Sequence, residues 1–241
     1  MNKYYSSIKF LFLTLVLIPW PLWAVAPNSQ TLKISEERII FHTNFGDLAV
    51  ALYPQVAPRH CAQILDMTKF GIYTGAHIFR IESGFVAQVE NYDNREKALT
   101  DDQLRRIHKL PAEFSSYKHR RGLLSMARFD DINSAEASFS FMLGPAPHLD
   151  GQYTIFGEVV KGLDVLAAIE ATPVIGTSQP IIDVVIQTAE VVSAKELDSM
   201  KLAGAKIPTI PDAPYQLFFE VFACLAFSVT VLIPILKGLK A

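Results

Sequence analysis

Residues 79–88, Phe79-Arg80-Ile81-Glu82-Ser83-Gly84-Phe85-Val86-Ala87-Gln88, carry two short β runs on either side of a Ser-Gly break. The runs cover 77–82 and 85–89, and the glycine between them marks the turn. Further β runs follow at 122–127, 139–143, 154–160 and 182–192. Upstream, Arg38-Ile39-Ile40-Phe41-His42-Thr43, a turn at Asn44-Phe45-Gly46 and the alternating Leu48, Val50 and Leu52 read as a hairpin. Pro58 opens a helix with Cys61, Ile64, Leu65 and Thr68 on one face, and Gly71 stops it. A second short helix fits 162–170. Many short strands separated by Gly and Pro predict a closed barrel or a sandwich. The charged stretch 91–121 reads as a surface excursion.

The two ends differ from this middle. The chain has 241 residues, 22 Lys+Arg and 24 Asp+Glu, with 50% hydrophobic residues and only 19% charged. Its mean hydropathy of +0.24 is high for a purely soluble protein. The excess apolarity lies in two segments. Phe10 to Ala26 is almost wholly apolar behind Lys3 and Lys9, and ends near small residues, so 1–26 reads as a signal peptide or an N-terminal anchor. Residues 213–236 carry one charge, Glu220, before Lys237 and Lys240. As a helix those 24 residues would rise about 36 Å, enough for a hydrocarbon core of about 30 Å. We therefore expect a transmembrane helix over 215–236 and a short basic tail over 237–241. Residues 194–214 read as a helical stub and a Pro-rich linker, with Pro208, Pro211 and Pro214 favouring an extended spacer. The globular domain is expected at 37–193.

Composition also excludes functions. A net charge of −2 without a basic cluster argues against a nucleic-acid partner. Two cysteines, one in the domain core and one (Cys224) within the apolar C-terminal segment, make neither a disulfide scaffold nor a thiolate metal site. There is no phosphate-cradling loop, H-E-x-x-H, nucleophile elbow or dinucleotide fingerprint. His42, His60, His77 and His119 are scattered and read as surface or core residues. No metal and no cofactor is expected.

Taken in order, the words along 41–170 resemble the cyclophilins, a family of peptidyl-prolyl isomerases. Phe41-His42-Thr43-Asn44-Phe45-Gly46, Ala57-Pro58 and Gly71-Ile72-Tyr73-Thr74-Gly75 come first. Phe79 to Gln88, His119-Arg120-Arg121-Gly122-Leu123-Leu124-Ser125-Met126-Ala127 and Asn133-Ser134 follow. His148-Leu149-Asp150-Gly151-Gln152-Tyr153-Thr154-Ile155-Phe156-Gly157 and Gly162-Leu163-Asp164-Val165-Leu166 complete the series. The resemblance implies a mainly β fold, a closed eight-stranded barrel capped by two α-helices.

It also implies a site. Prolyl isomerisation breaks amide resonance against a barrier of about 18–20 kcal/mol, with no covalent bond exchanged. A catalyst needs an apolar slot for the ring and a donor that favours the twisted amide. Arg80 matches the family's catalytic arginine, whose planar fork suits that task. Phe85 matches the wall of the proline slot, and Gln88 a group that holds Arg80 or the substrate backbone. Ala127, Ser138, Ser140, His148, Leu149 and Tyr153 match further substrate-binding positions. Some of these depart from the family pattern. Ser140 stands where many members carry a slot-forming Phe, Ser138 where they carry Gln, His148 where they carry Trp, Tyr153 where eukaryotic members carry His, and Arg128 where they carry Asn. The slot should therefore be wider and more polar than usual.

The expectation is a membrane-anchored isomerase acting on X-Pro bonds of exported proteins, its domain in the periplasm or another extracytoplasmic space. Its partners would be Pro-containing polypeptides and, through the C-terminal helix, the membrane. Cyclosporin is the ligand the resemblance implies, and the changes at Ser140 and His148 predict that it binds weakly. A catalytically weak or inactive binding module, or a membrane-complex subunit, is the alternative.

Overall fold

The computed structural model describes residues 34–208. The apolar leader 1–26, the linker from residue 209 onward, the expected span 215–236 and the tail 237–241 lie outside the described residues. Among the described residues, no helix is long and apolar enough to cross a membrane.

The first hairpin is β1 (Glu37–Thr43) and β2 (Gly46–Leu52), followed by α1 (Pro58–Lys69), β3 (Ala76–Glu82) and β4 (Val86–Val89). After α2 (Asp101–Leu104) come β5 (Leu123–Met126), β6 (Phe139–Met142), β7 (Ile155–Lys161) and α3 (Leu163–Glu170). A two-residue ribbon of β8 (Val174–Ile175) and β9 (Gln179–Pro180) precedes β10 (Val185–Ser193) and α4 (Ala194–Ser199). Eight strands close a barrel in the order β1-β10-β3-β4-β6-β5-β7-β2, with every neighbouring pair antiparallel. Closure removes the exposed edges that an open sheet of such short strands would leave.

Strand alternation divides the barrel wall into an inner and an outer face. Ile39, Phe41, Leu48, Val50, Leu124, Phe139, Phe141 and Phe156 point inward and join Cys61, Ile64 and Met67 of α1 with Val165, Leu166 and Ile169 of α3. Both helices thereby close the barrel core. Phe139 is central: its ring lies 5.3–5.7 Å from those of Phe41, Tyr73, Phe141 and Phe156, mostly edge-on. Cys61 is buried and donates its Sγ proton to Phe156 O, and burial pushes its thiol up to about 12, so it is inert packing. On the outer face, Leu197 of α4 covers Ile40 and Ala49. The helical stub thus shields an apolar patch of the first hairpin.

Three local features refine the sequence reading. The helix expected at 162–170 is α3 and begins at Leu163, because Gly162 sits at φ 95° as its N-cap. A Cβ there would lie 2.3 Å from Asp47 O, so only glycine fits. The stretch 91–121 is more than a surface excursion, since it is bonded to α1 along its length. Ala57 offers α1 no side-chain cap, yet Glu113 accepts from Arg59 N (3.2 Å), His60 N (3.1 Å) and His60 Nδ1 (2.6 Å). Gln63 Nε2 donates to His108 O, and Arg106 pairs with Asp66. The expected strand over 182–192 runs instead from Val185 to Ser193.

Candidate active site

The outer face of β3, β4, β6 and β5 carries one continuous cross-strand row. Arg80 lies opposite Gln88, Gln88 opposite Ser140, and Ser140 opposite Ser125. Directly opposed residues in antiparallel strands hold their Cβ atoms about 4.5–5.5 Å apart. Four polar side chains therefore stand side by side on a wall whose other face is aromatic core.

Around this row a slot of about 140 Å³ is lined by Arg80, Phe85, Gln88, Ser125, Met126, Ala127, Ser140, Leu149 and Tyr153, among others. Phe85 enters from the turn after β3, and its ring centre lies 5.7 Å from the Arg80 guanidinium carbon. Glu170 steadies that turn, accepting from Gly84 N (2.8 Å) and Ser83 Oγ (3.1 Å) while paired with Arg121. Gly144 packs on the same turn so closely that a Cβ would meet Gly84 O at 2.2 Å. Leu149 and Tyr153 come from the loop before β7. The Arg128 guanidinium lies 4.4 Å above the Tyr153 ring.

Arg80 is held at both ends. Its Nε and Nη2 donate to Glu82 Oε1 at 2.9 and 2.6 Å, and its Nη1 donates to Gln88 Oε1 at 3.1 Å. Gln88 Nε2 donates in turn to Ser138 Oγ (3.3 Å), whose proton goes to Val89 O (2.7 Å). Three of the five guanidinium N–H groups are thus engaged, and the other two have no partner among the described residues. At the far end of the row, Ser125 Oγ lies 3.0 Å from His119 Nε2, and His119 Nδ1 lies 3.0 Å from Asp150 Oδ1. Burial keeps His119 neutral by pulling its pKa down. The His119 backbone N–H and ring hold the Asp150 carboxyl down to about 2.

Of the residues expected from sequence, Arg80, Phe85, Gln88, Ala127, Ser140, Leu149 and Tyr153 line this slot together. Ser138 lines an adjoining cavity of about 340 Å³, which shares Gln88, Ala127 and Arg128 with the slot and is lined also by Phe79 and Phe129. His148 is exposed and sits behind Phe85, ring centres 5.1 Å apart, outside the slot itself. Sequence reading passed over Glu82, Ser125 and His119. Glu82 stands two residues from Arg80 on one strand, so period-two alternation already placed them on one face. Ser125 and His119 gave no such signal, since their connection depends on the register of β5.

The site is thus a slot of mixed polar and apolar lining beside a fixed guanidinium, on the outside of a closed eight-stranded barrel. Residues 38–191 match the family described as Cyclophilin type peptidyl-prolyl cis-trans isomerase/CLD, and the chain belongs to that family. It is 43% identical over 143 residues to an Arabidopsis thaliana relative named peptidyl-prolyl cis-trans isomerase CYP23, covering 58% of this chain and 63% of that protein. A Brucella suis relative named a probable peptidyl-prolyl cis-trans isomerase is 36% identical over 141 residues, covering 56% of this chain and 72% of the relative. Among solved structures, a Cryptosporidium parvum cyclophilin type isomerase superposes with a TM-score of 0.58 at 25% identity, over 67% of this chain and 99% of the other. The same protein crystallised in the presence of the dipeptide Ala-Pro gives 0.57 at 25% identity, over 65% and 99%.

Proposed function

We propose that this chain catalyses cis-trans isomerisation of X-Pro bonds in exported proteins while held to a membrane by residues 215–236. The observation that carries the catalytic reading is Arg80, fixed by Gln88 at the rim of a slot walled by Phe85, Leu149 and Tyr153. In this reading the ring enters the slot and the free Arg80 N–H groups approach the prolyl amide. They bond best when resonance is broken and charge localises on nitrogen or on the rotating carbonyl. A donor already in place favours that geometry over either planar isomer, with no proton transferred. The test is NMR exchange between the cis and trans forms of a capped X-Pro peptide with the full chain in detergent micelles. Exchange no faster than in free peptide would sink the reading.

A binding module with little catalysis is the second reading. One observation favours it: two of the Arg80 N–H groups converge on Glu82 Oε1. The same exchange measurement separates the two, because a module would broaden the peptide signals on binding without speeding their interconversion.

The location rests on the apolar leader, the apolar 24-residue stretch with Lys237 and Lys240 behind it, and the positive-inside tendency. Protease added to sealed spheroplasts should release the domain near 207–214 and leave a small membrane fragment. Protection of the domain, with the tail accessible from outside, would reverse the topology.

A further inference from the structure

We propose that the slot prefers a prolyl ring bearing a γ-hydroxyl, 4-hydroxyproline, over proline itself, with Ser140 and Ser125 as the discriminating pair. The proposal rests on the isomerase reading of the slot and deepens it. Ser140 and Ser125 are directly opposed on β6 and β5, and both line the slot. Each follows the alternation of its strand: the neighbours Phe139, Phe141, Leu124 and Met126 belong to the core, so the two hydroxyls face outward together.

Their hydrogen-bonding capacities are complementary. Asp150 is ionised and accepts from the His119 ring, which places the ring proton on Nδ1 and leaves Nε2 as an acceptor. Ser125 therefore gives its proton to His119 and turns only lone pairs toward the slot. Ser140 Oγ has no hydrogen-bond partner among the described residues and can donate. A hydroxyl entering between them would donate to Ser125 and accept from Ser140. A plain methylene there would leave the Ser140 hydroxyl without a partner, which is the unfavourable half of the discrimination. With serine instead of a bulky side chain at 140, the slot has room for the extra oxygen.

The experiment uses the full chain in detergent micelles and three capped peptides, Ala-Ala-X-Ala, with X as proline or either 4-hydroxyproline epimer. Affinities are read by NMR titration, and interconversion by exchange. One epimer should bind about 3- to 10-fold tighter than proline, the range of a single net hydrogen bond. In Ser140→Ala that ratio should fall to within twofold of one, and Ser125→Ala should reduce it too. Comparing this ratio between the unaltered chain and the variant cancels the effect of the hydroxyl on the free peptide. The comparison of epimers in the unaltered chain needs no variant to fold. Both epimers binding no tighter than proline would overturn the proposal, as would a preference that survives in Ser140→Ala. If the proline peptide is interconverted without any preference for the hydroxylated ring, the specificity fails and the isomerase reading stands. If the preference is found without faster exchange, the isomerase reading fails and the specificity stands as that of a binding site.

Discussion

Arg80 and Glu82 are bound face to face on one strand, two guanidinium nitrogens converging on a single carboxylate oxygen at 2.6 and 2.9 Å. Both side chains are about one-third exposed, so the pair is steered by geometry more than by a low dielectric. Exposed pairs of this kind contribute about 0–1 kcal/mol. Glu82 therefore draws mildly on the positive charge of the guanidinium whose two remaining N–H groups are open to a ligand.

Glu82→Gln should raise kcat/KM for an X-Pro peptide by up to about fivefold, the equivalent of about 1 kcal/mol. Steady-state rates of the two proteins decide it. A fall instead of a rise would make Glu82 a support that positions Arg80.

Arg80→Ala should lower kcat/KM by roughly 10²-fold or more, as when one preorganised donor is lost. Arg80→Lys should not restore the rate, since a point charge cannot offer two N–H groups in a plane. Thermal melts should change little, because the side chain lies on the outer face. Unaltered interconversion in Arg80→Ala would remove this residue from catalysis.

Ser140→Phe should tighten binding of a plain Pro peptide by about 5- to 150-fold, because an aromatic wall against the ring contributes about 1–3 kcal/mol. Cyclosporin affinity should rise in parallel from a low starting value. Parallel titrations of both proteins with each ligand make the comparison. Weaker peptide binding by the variant would show that the ring does not stand over position 140.

Stability should fall as pH drops from 7.5 to 5.5. Burial, opposed by Glu113 and Asp150, lowers the pKa values of His60 and His119. Near pH 6 the unfolded chain therefore binds more protons at these sites, and their contribution is lost below the ordinary histidine value of about 6.5. His42 acts in the opposite sense. Burial lowers its pKa, but Asp47 and Glu190 outweigh burial and raise it, so its contribution is full in acid and fades as pH rises. Urea unfolding at both pH values should show the decline, and His42→Gln should steepen it. A flat profile in both proteins would contradict the assignment.

Much of the fold could be read from period and punctuation. Leu48, Val50 and Leu52 alternate, Pro58 opens α1, and Gly71 follows its end. Arg80 and Phe85 were legible because they sit within words of specific order. The Glu113 cap was not, since it joins α1 across 53 residues and nothing local marks the acceptor. Nor was the opposition of Ser125 and Ser140. It follows from strand register, and a one-residue slip would turn either side chain into the core. What sequence alone conveyed at Ser140 was a missing aromatic wall. The register adds a second hydroxyl across from it.

The run Phe139-Ser140-Phe141 gives the barrel wall a division of labour. Its two phenylalanines belong to the interior aromatic stack, while the serine between them lines the slot. Ser125, between Leu124 and Met126, repeats the arrangement on the neighbouring strand. A substitution at either outward position would change the lining of the slot while leaving the interior aromatic layer in place. The surface that shapes the slot and the layer that holds the fold are therefore separable, position by position.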